Sequence, residues 1–404
     1  MSPAKVLLYF LLFFIGGIFS SSFLNIPKLI IYELFLLGIL YSLVFFKEKT
    51  IVVFGICLIV FGFGVLRTEM VKPTLALSSE EGTPEDGYYK ISQSSSVIED
   101  KIAPVKYKLR EIINENLSPP HSSILAALTI GDKKYIPKEW KEKLNLSGVR
   151  HITAVSGLHV VIISGILLWL GLRIGLYRGQ AFYFALFFLW LFIVIIGFQP
   201  SAIRAGLMGS MFLFCERLGR KSVADRALLL TGALMLLLDP LLLRYDIGFQ
   251  LSFLATLGII YLMPFLHNFF EKIKLTKLGE VSNLLAMTFA AQIFVLPILV
   301  YNFGQISLIS PMTNILIVPL LPYIMTAGFI FLIGGLLWFP LGWILSFPVW
   351  ILLTYLIKIV DLFSRFSFSS ITFQISWLPL PLFYTVLGFF LYYLSKKEKL
   401  KLKY

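Results

Sequence analysis

The sequence predicts an all-α polytopic membrane protein with about 10–12 membrane segments, broken or re-entrant ones included, and a small extracytoplasmic segment. Three observations carry this. Hydrophobic residues fill 58% of the 404 positions and charged residues only 14%, which excludes an ordinary soluble domain. Apolar runs recur at close to the roughly 20 residues that cross a hydrocarbon core. Lysine and arginine gather in the links between the runs, as they do in cytoplasmic loops, so the net charge of +13 needs no nucleic acid to explain it. Cys57 and Cys215 lie inside apolar runs without CxxC spacing, so they read as small buried hydrophobes.

The first three runs, at about 6–24, 29–46 and 51–66, form an N-terminal set of helices over residues 1–66. The first could pass for a secretory signal peptide, but the spans that follow favour an uncleaved helix. Lys47 and Lys49 place the second loop in the cytoplasm, so the third span leads outward to residues 67–120. That segment contains Glu80, Glu81, Glu85 and Asp86, then serine-rich residues 92–96, and ends as an amphipathic helix over 104–116. A membrane domain follows over 121–394. It opens with two short helices split at Gly131-Asp132 and restarted at Pro137. After residues 147–172, spans at about 180–198, 200–216, 227–243 and 247–265 are separated by basic loops holding Arg217, Arg220, Lys221, Arg226, Lys272, Lys274 and Lys277. Residues 281–301 and 306–337 carry Pro297, Pro311, Pro319 and Pro322, which predicts kinked or broken backbone. The last spans, at about 341–360 and 378–394, precede a basic cytoplasmic tail over 395–404 that includes Lys396 and Lys403.

The chemistry concentrates in residues 147–172, which are apolar enough to cross a bilayer yet contain His151, Ser156, Gly157 and His159. Ionisable groups at that depth are costly unless they face protein or water. Serine followed by glycine weakens a helix, so an interruption is expected at Ser156-Gly157, where irregular backbone would line a cavity. The two imidazoles would lie about 80° apart on a continuous helix. They could relay protons, contact cargo, pair with Ser156 as a nucleophile, bind metal or brace neighbouring helices.

Three further stretches share this pattern. Pro200 suits a first helical turn, and Ala202, Gly206 and Ser210 form a small-residue stripe. Arg204 faces about 200° away, toward either the interface or a polar cavity. Gln250 and Ser252 begin another span, with Gln250 placed to bond Asp246 or a neighbouring helix. Ser310 and Pro311 read as a cap and first position that bring Asn314 into the membrane, with the new helix N-terminus suited to an anion. Interruptions in both halves are what transporters use at a central site, although these two are not alike in sequence.

In this order, LAALTIGDKK, GVRHITAVSGLHV, PSAIRAG, DIGFQLSFLATLG and SPMTNILIVPLLP resemble the ComEC competence family. Members of that family conduct single-stranded DNA across the bacterial inner membrane during natural transformation. The resemblance runs from Ile124 to Leu336. It implies that Gly148, His151, Ser156, Gly157, His159, Arg204, Gln250, Ser252 and Asn314 lie on the family's membrane core, lining a channel or cavity. Pro200, Pro297, Pro311 and Pro319 would break helices around it. The implied partners are single-stranded DNA as cargo, membrane lipid, and separate DNA-uptake and cytoplasmic DNA-pulling proteins, with a homo-oligomer left open and no cofactor or metal required.

There are departures. Longer members are expected to carry an extracytoplasmic OB-like domain and a β-lactamase-like hydrolase domain. Here residues 73–103 are too short for a five-stranded barrel, no HxHxDH motif occurs, and Val161 stands where a small residue is expected. The expectation is therefore a channel without nuclease activity. An intramembrane Ser/His hydrolase or lipid-modifying enzyme, and a transporter of another solute on the same core, remain the alternatives.

Overall fold

The computed structural model describes residues 3–78, 97–197, 200–217, 224–274, 279–366, 370–372, 376 and 378–401. The expectations on Glu80, Glu81, Glu85, Asp86, residues 92–96, Arg220, Lys221, Lys277 and Lys403, and on the burial of Cys215, lie outside the described residues. In chain order the elements are α1 (Pro3–Phe23), α2 (Lys28–Val44), α3 (Lys49–Ser78), α4 (Val97–Asn116), α5 (His121–Ile130) and α6 (Lys138–Leu146). A 3-10 turn (Arg150–Thr153) precedes α7 (Gly157–Arg173), α8 (Arg178–Ile196), α9 (Pro200–Arg217), α10 (Ala224–Leu238), α11 (Leu242–Tyr245), α12 (Ile247–Lys272) and α13 (Glu280–Phe303). Then come β1 (Gln305–Ser307), α14 (Ser310–Ile317), a second 3-10 turn (Val318–Leu320), α15 (Leu321–Leu337), α16 (Phe339–Ser364), β2 (Ser370–Thr372) and α17 (Pro379–Lys401).

The protein is an all-α polytopic membrane protein. Among the described residues, seven stretches are long and apolar enough to cross a bilayer: Lys5–Phe23, Lys49–Lys72, Arg178–Ile196, Ile247–Lys272, Glu280–Phe303, Ser310–Leu337 and Phe339–Ser364. Three shorter apolar helices, α5, α7 and Pro379–Leu394, add to them. Two local features differ from the sequence expectation. The first is a small antiparallel pairing in which Gln305, Ile306 and Ser307 meet Thr372, Ile371 and Ser370. The second is Pro297, expected to break its helix, which instead sits buried inside an α13 that continues to Phe303. A proline loosens the preceding turn by removing one N–H. There the Tyr384 hydroxyl donates to the Phe294 carbonyl at 2.9 Å, the kind of neighbour that lets a membrane helix tolerate proline. Pro200 and Pro311 stand at helix starts, and Pro319 lies in the 3-10 turn between α14 and α15.

The chain forms two compact units. The first comprises Met1–Lys101 and Leu207–Phe253. Its α3 packs on both α1 and α2. At the α1–α3 crossing a side chain on Gly17 would strike the Phe61 carbonyl, and one on Gly64 would strike the Phe14 carbonyl. Glycine is needed there because the two backbones touch, as small residues allow in membranes. Phe14, Ile18, Met235, Leu236 and Phe249 are among the buried core of this unit. Its helix ends are closed by long cationic side chains. Arg67 donates to the Leu237 and Leu238 carbonyls at 3.0 and 2.8 Å, and Arg244 to the Ser22 carbonyl at 2.5 Å. These are terminal carbonyls that no helical N–H reaches.

The second unit comprises Ile102–Gly206 and Leu254–Tyr404. Its core runs through α4, α5, α7, α8, α15 and α16, with Leu125, Leu128, Leu189, Ile193, Ile324, Phe331 and Leu353 fully buried. The predicted turn is present: Gly131 caps α5 at φ +70°, and Asp132 beside it is 7% exposed and ion-paired with Arg110. Restart after Pro137 is also as read, because Pro137 immediately precedes α6. Lys143 of α6 reaches Asp361 of α16 at 2.7 Å and ties these two helices together.

Candidate functional site

Residues 147–172 are not one helix. The first piece ends α6. Gly148 takes φ +72°, the Val149 N–H bonds the Leu144 carbonyl at 3.0 Å, and the Gly148 N–H bonds the Asn145 carbonyl at 3.0 Å. A left-handed residue with these two bonds closes the orphan carbonyls of a helix end, and glycine adopts it without steric cost. Gly148 meets a second constraint as well. A side chain there would collide with Ser310 and come within 2.8 Å of the Ser307 hydroxyl.

That collision locates a junction. Ser307 donates to the Leu146 carbonyl at 2.8 Å, and Ser310 donates to the Gly148 carbonyl at 3.3 Å. The end of α6 is thus clasped to the stretch where α13 has stopped and α14 begins. Ser310 is the first residue of α14, one position later than the cap role read from the sequence, with Ile309 preceding it. Asn314, one turn on, is 7% exposed, and its amide nitrogen lies 3.5 Å from the Ser310 hydroxyl. Gln292 of α13 donates to the Ser307 carbonyl at 3.2 Å. The side-chain oxygens of Gln292 and Asn314 are buried and have no hydrogen-bond partner among the described residues. Gln292 and Ser307 escaped the sequence reading. A glutamine in the middle of the apolar run AAQIFVLP carries the same signal that drew attention to His159.

The second piece begins where serine and glycine predicted the interruption. Ser156 is the N-cap of α7, with extended backbone at φ −125° and ψ 175°. Its hydroxyl accepts the His159 N–H, and His159 Nδ1 accepts the Ser156 N–H at 3.3 Å while lying 3.1 Å from Ser156 Oγ. This is a reciprocal cap with histidine in the place usually held by glutamate or glutamine. A backbone N–H can only donate, so Nδ1 is an acceptor and the proton of the neutral ring resides on Nε2. His159 is fully buried, and its Nε2 has no partner among the described residues. His151, in the 3-10 turn, is exposed. Gly157 is exposed with open space where a side chain would stand, beside the first N–H groups of α7.

Arg204 lies on α9 and is 4% exposed, so protein encloses it instead of the interface reached by a snorkelling side chain. Ala202 on the same helix is fully buried, and a side chain on Gly206 would collide with Ile193, as the small-residue stripe predicts. Gln250 and Ser252 belong to the first unit. Among the described residues, Gln250 bonds neither the Asp246 side chain nor a distant helix. Its amide donates to the Leu243 and Arg244 carbonyls at 2.9 and 3.0 Å, while Asp246 accepts the Phe249 N–H at 2.8 Å. The helix breaks at Asp246, whose backbone is extended between α11 and α12, and the carbonyls at the end of α11 lie within reach of an amide only a few residues away.

Serine hydroxyl, imidazole N–H and amide oxygens embedded in apolar helices suit a polar solute better than an apolar one, because each buried polar group costs free energy until something bonds it. A family model described as Competence protein matches residues 128–397. ComE operon protein 3 of Bacillus subtilis (strain 168) is 32% identical over 228 residues, covering 56% of this chain and 28% of that protein. Competence protein ComA of Neisseria gonorrhoeae is 26% identical over 273 residues, 64% of this chain and 36% of its own length. The uncharacterized protein YcaI of Escherichia coli (strain K12) is 27% identical over 284 residues, 58% of this chain and 36% of that protein. The chain therefore spans only 28–36% of the length of these relatives. No solved structure matches.

Proposed function

The chain belongs to the Competence protein family, and from that premise we propose that it is a multi-pass inner-membrane channel for single-stranded DNA in natural transformation. The observation that carries this reading is the junction of Gly148 with Ser307 and Ser310. There the end of the short polar helix α6 meets the break between α13 and α14, and unsatisfied buried oxygens of Gln292 and Asn314 accompany it in the same unit. Irregular backbone at membrane depth is tolerated where it lines a polar space. A nucleic acid strand brings donors on its bases and negative charge on its phosphates. Arg204 and the N-termini of α7 and α14 would balance that charge without reading sequence. The chain transports and does not hydrolyse in this reading, and strand capture and pulling fall to separate proteins on the two sides of the membrane.

Cysteines placed at Ser156, Arg204 and Asn314 test the path. During uptake they should form crosslinks to a strand carrying a thiol-reactive group. Adducts confined to other positions would overturn the assignment.

One observation favours a second reading, an intramembrane hydrolase: Ser156 Oγ stands 3.1 Å from His159 Nδ1. Against it, the same nitrogen is occupied by the Ser156 N–H, and Nε2 faces no carboxylate among the described residues. A serine-directed activity probe separates the two, since labelling of Ser156 is expected only of the hydrolase.

A further inference from the structure

The turn between α5 and α6 is held in one shape and presents an aromatic ring. Gly131 ends α5 in the left-handed region, the Asp132 N–H bonds the Ala126 carbonyl at 3.2 Å, and the Ile136 side chain is buried at the far end of the turn. Lys141 of α6 donates to the Lys134 carbonyl at 3.3 Å. Between these anchors Tyr135 stands 60% exposed. The Arg110 guanidinium of α4 lies 4.1 Å from the centre of its ring and is itself fixed by the ion pair with Asp132. One face of the ring is thus covered by a cation, and the other is open.

Two observations put that open face in water at the edge of the membrane. Lys106, one turn before Arg110 on α4, donates at 2.5 Å to the carbonyl of Ile196, the last residue of the spanning helix α8. The ion pair directly behind the ring would be costly in hydrocarbon. The surroundings are cationic. Lys133, Lys134 and Lys138 are exposed within three positions of the ring, and two of the three carboxylates between residues 131 and 146 are already paired, Asp132 with Arg110 and Glu139 with Lys143. A flat apolar face in water, flanked by lysines, matches a base and the phosphates on either side of it, whereas neither a lipid headgroup nor an acyl chain is flat. From this turn α6 leads to the Leu146 carbonyl held by Ser307, about 13 Å away at 1.5 Å per residue.

We propose that Tyr135 is a stacking platform on which a base of the single strand rests before the strand reaches the junction at Gly148, with Lys134 and Lys138 against the neighbouring phosphates. This rests on the channel reading and adds the group that is recognised, the face of a base. Every base has such a face, so the platform holds the strand without reading its sequence. The anchored turn and the guanidinium behind the ring fix its orientation in advance, which lowers the cost of ordering it on binding.

The test uses the full chain purified in detergent, with binding of a labelled oligothymidylate of about 12 nucleotides read by fluorescence anisotropy. An abasic strand of the same length and charge should bind about tenfold more weakly. Tyr135→Leu should weaken oligothymidylate binding by the same factor and leave the abasic strand unchanged, while Tyr135→Phe, which keeps the face, should bind as the wild type does and serves as the folding control. Lys134→Gln combined with Lys138→Gln should weaken both strands equally and flatten the salt dependence. Equal or absent binding of the two strands, or a preference that survives Tyr135→Leu, overturns the proposal. So does retention of phosphatidylglycerol that falls in Tyr135→Leu, which would assign the ring to lipid. Crosslinking at Ser156, Arg204 and Asn314 reads the path separately. Adducts there alongside normal strand binding by Tyr135→Leu would keep the channel and remove the platform, and the converse pair of results would do the reverse.

Discussion

The two units meet the same problem with different emphasis. Each is built from apolar helices that leave carbonyls or N–H groups unpaired where they stop. In the first unit the ends are sealed: Arg67 covers two terminal carbonyls of α10, Arg244 covers the end of α1, and Gln250 covers the turn of α11. Glycines at the α1–α3 crossing let the backbones close on each other. In the second unit the interruptions are clasped by neutral serines, while buried atoms of His159, Gln292 and Asn314 find nothing among the described residues to bond. Among the described residues, unmet buried oxygens occur in the first unit too, at Ser22 and Thr231, but the second unit keeps such atoms beside its breaks at Ser156 and Ser310, where a polar cargo would be handled. The second unit also seals one end with a cation, since Lys106 donates to the Ile196 carbonyl at 2.5 Å, so the difference lies in where unmet groups remain.

Substitutions can break this contrast. Gly148→Val should have the largest effect, since it combines a left-handed φ, costly for any branched residue, with a collision at Ser310. A loss of more than about 3 kcal/mol is expected, visible as loss of the protein from membranes. Gly17→Leu should be nearly as damaging in the first unit by forcing α1 from α3, and normal abundance of that variant would show that the tight crossing is dispensable. Arg204→Ala should lower DNA uptake about tenfold or more at unchanged membrane abundance, the scale of one charge-assisted contact, whereas a parallel fall in abundance would make the residue structural. Arg67→Met uncovers two carbonyls and should cost about 2 kcal/mol in a melt of the purified protein without a selective effect on uptake. Smallest is Ser156→Ala, which removes an N-cap worth about 1 kcal/mol and should shift the melting temperature by only a few degrees.

Local chemistry was legible in the sequence where the partners lie within a turn or two. Ser156 and Gly157 are adjacent, so the interruption could be read there, as could the turn at Gly131 and the restart after Pro137. Long-range partners were not legible. Nothing in residues 146–148 announces Ser307 and Ser310, about 160 positions away, and nothing near Arg67 points to Leu237. Pro297 misled because a proline's effect depends on a neighbour, here Tyr384, that only the fold supplies. The three-residue strands are too short to show a period, and their pairing also joins distant parts of the chain.

The clasp at Gly148 has a consequence for populations. Because glycine presents no side chain, the two hydroxyl bonds from Ser307 and Ser310 are the main polar tie between the end of α6 and the start of α14. Neutral bonds of this kind contribute about 1 kcal/mol each, so at this contact alone an unclasped form lies about 2 kcal/mol above the clasped one. That corresponds to a few per cent of molecules at any moment, within the range where a ligand that favours the minor form can make it the major one.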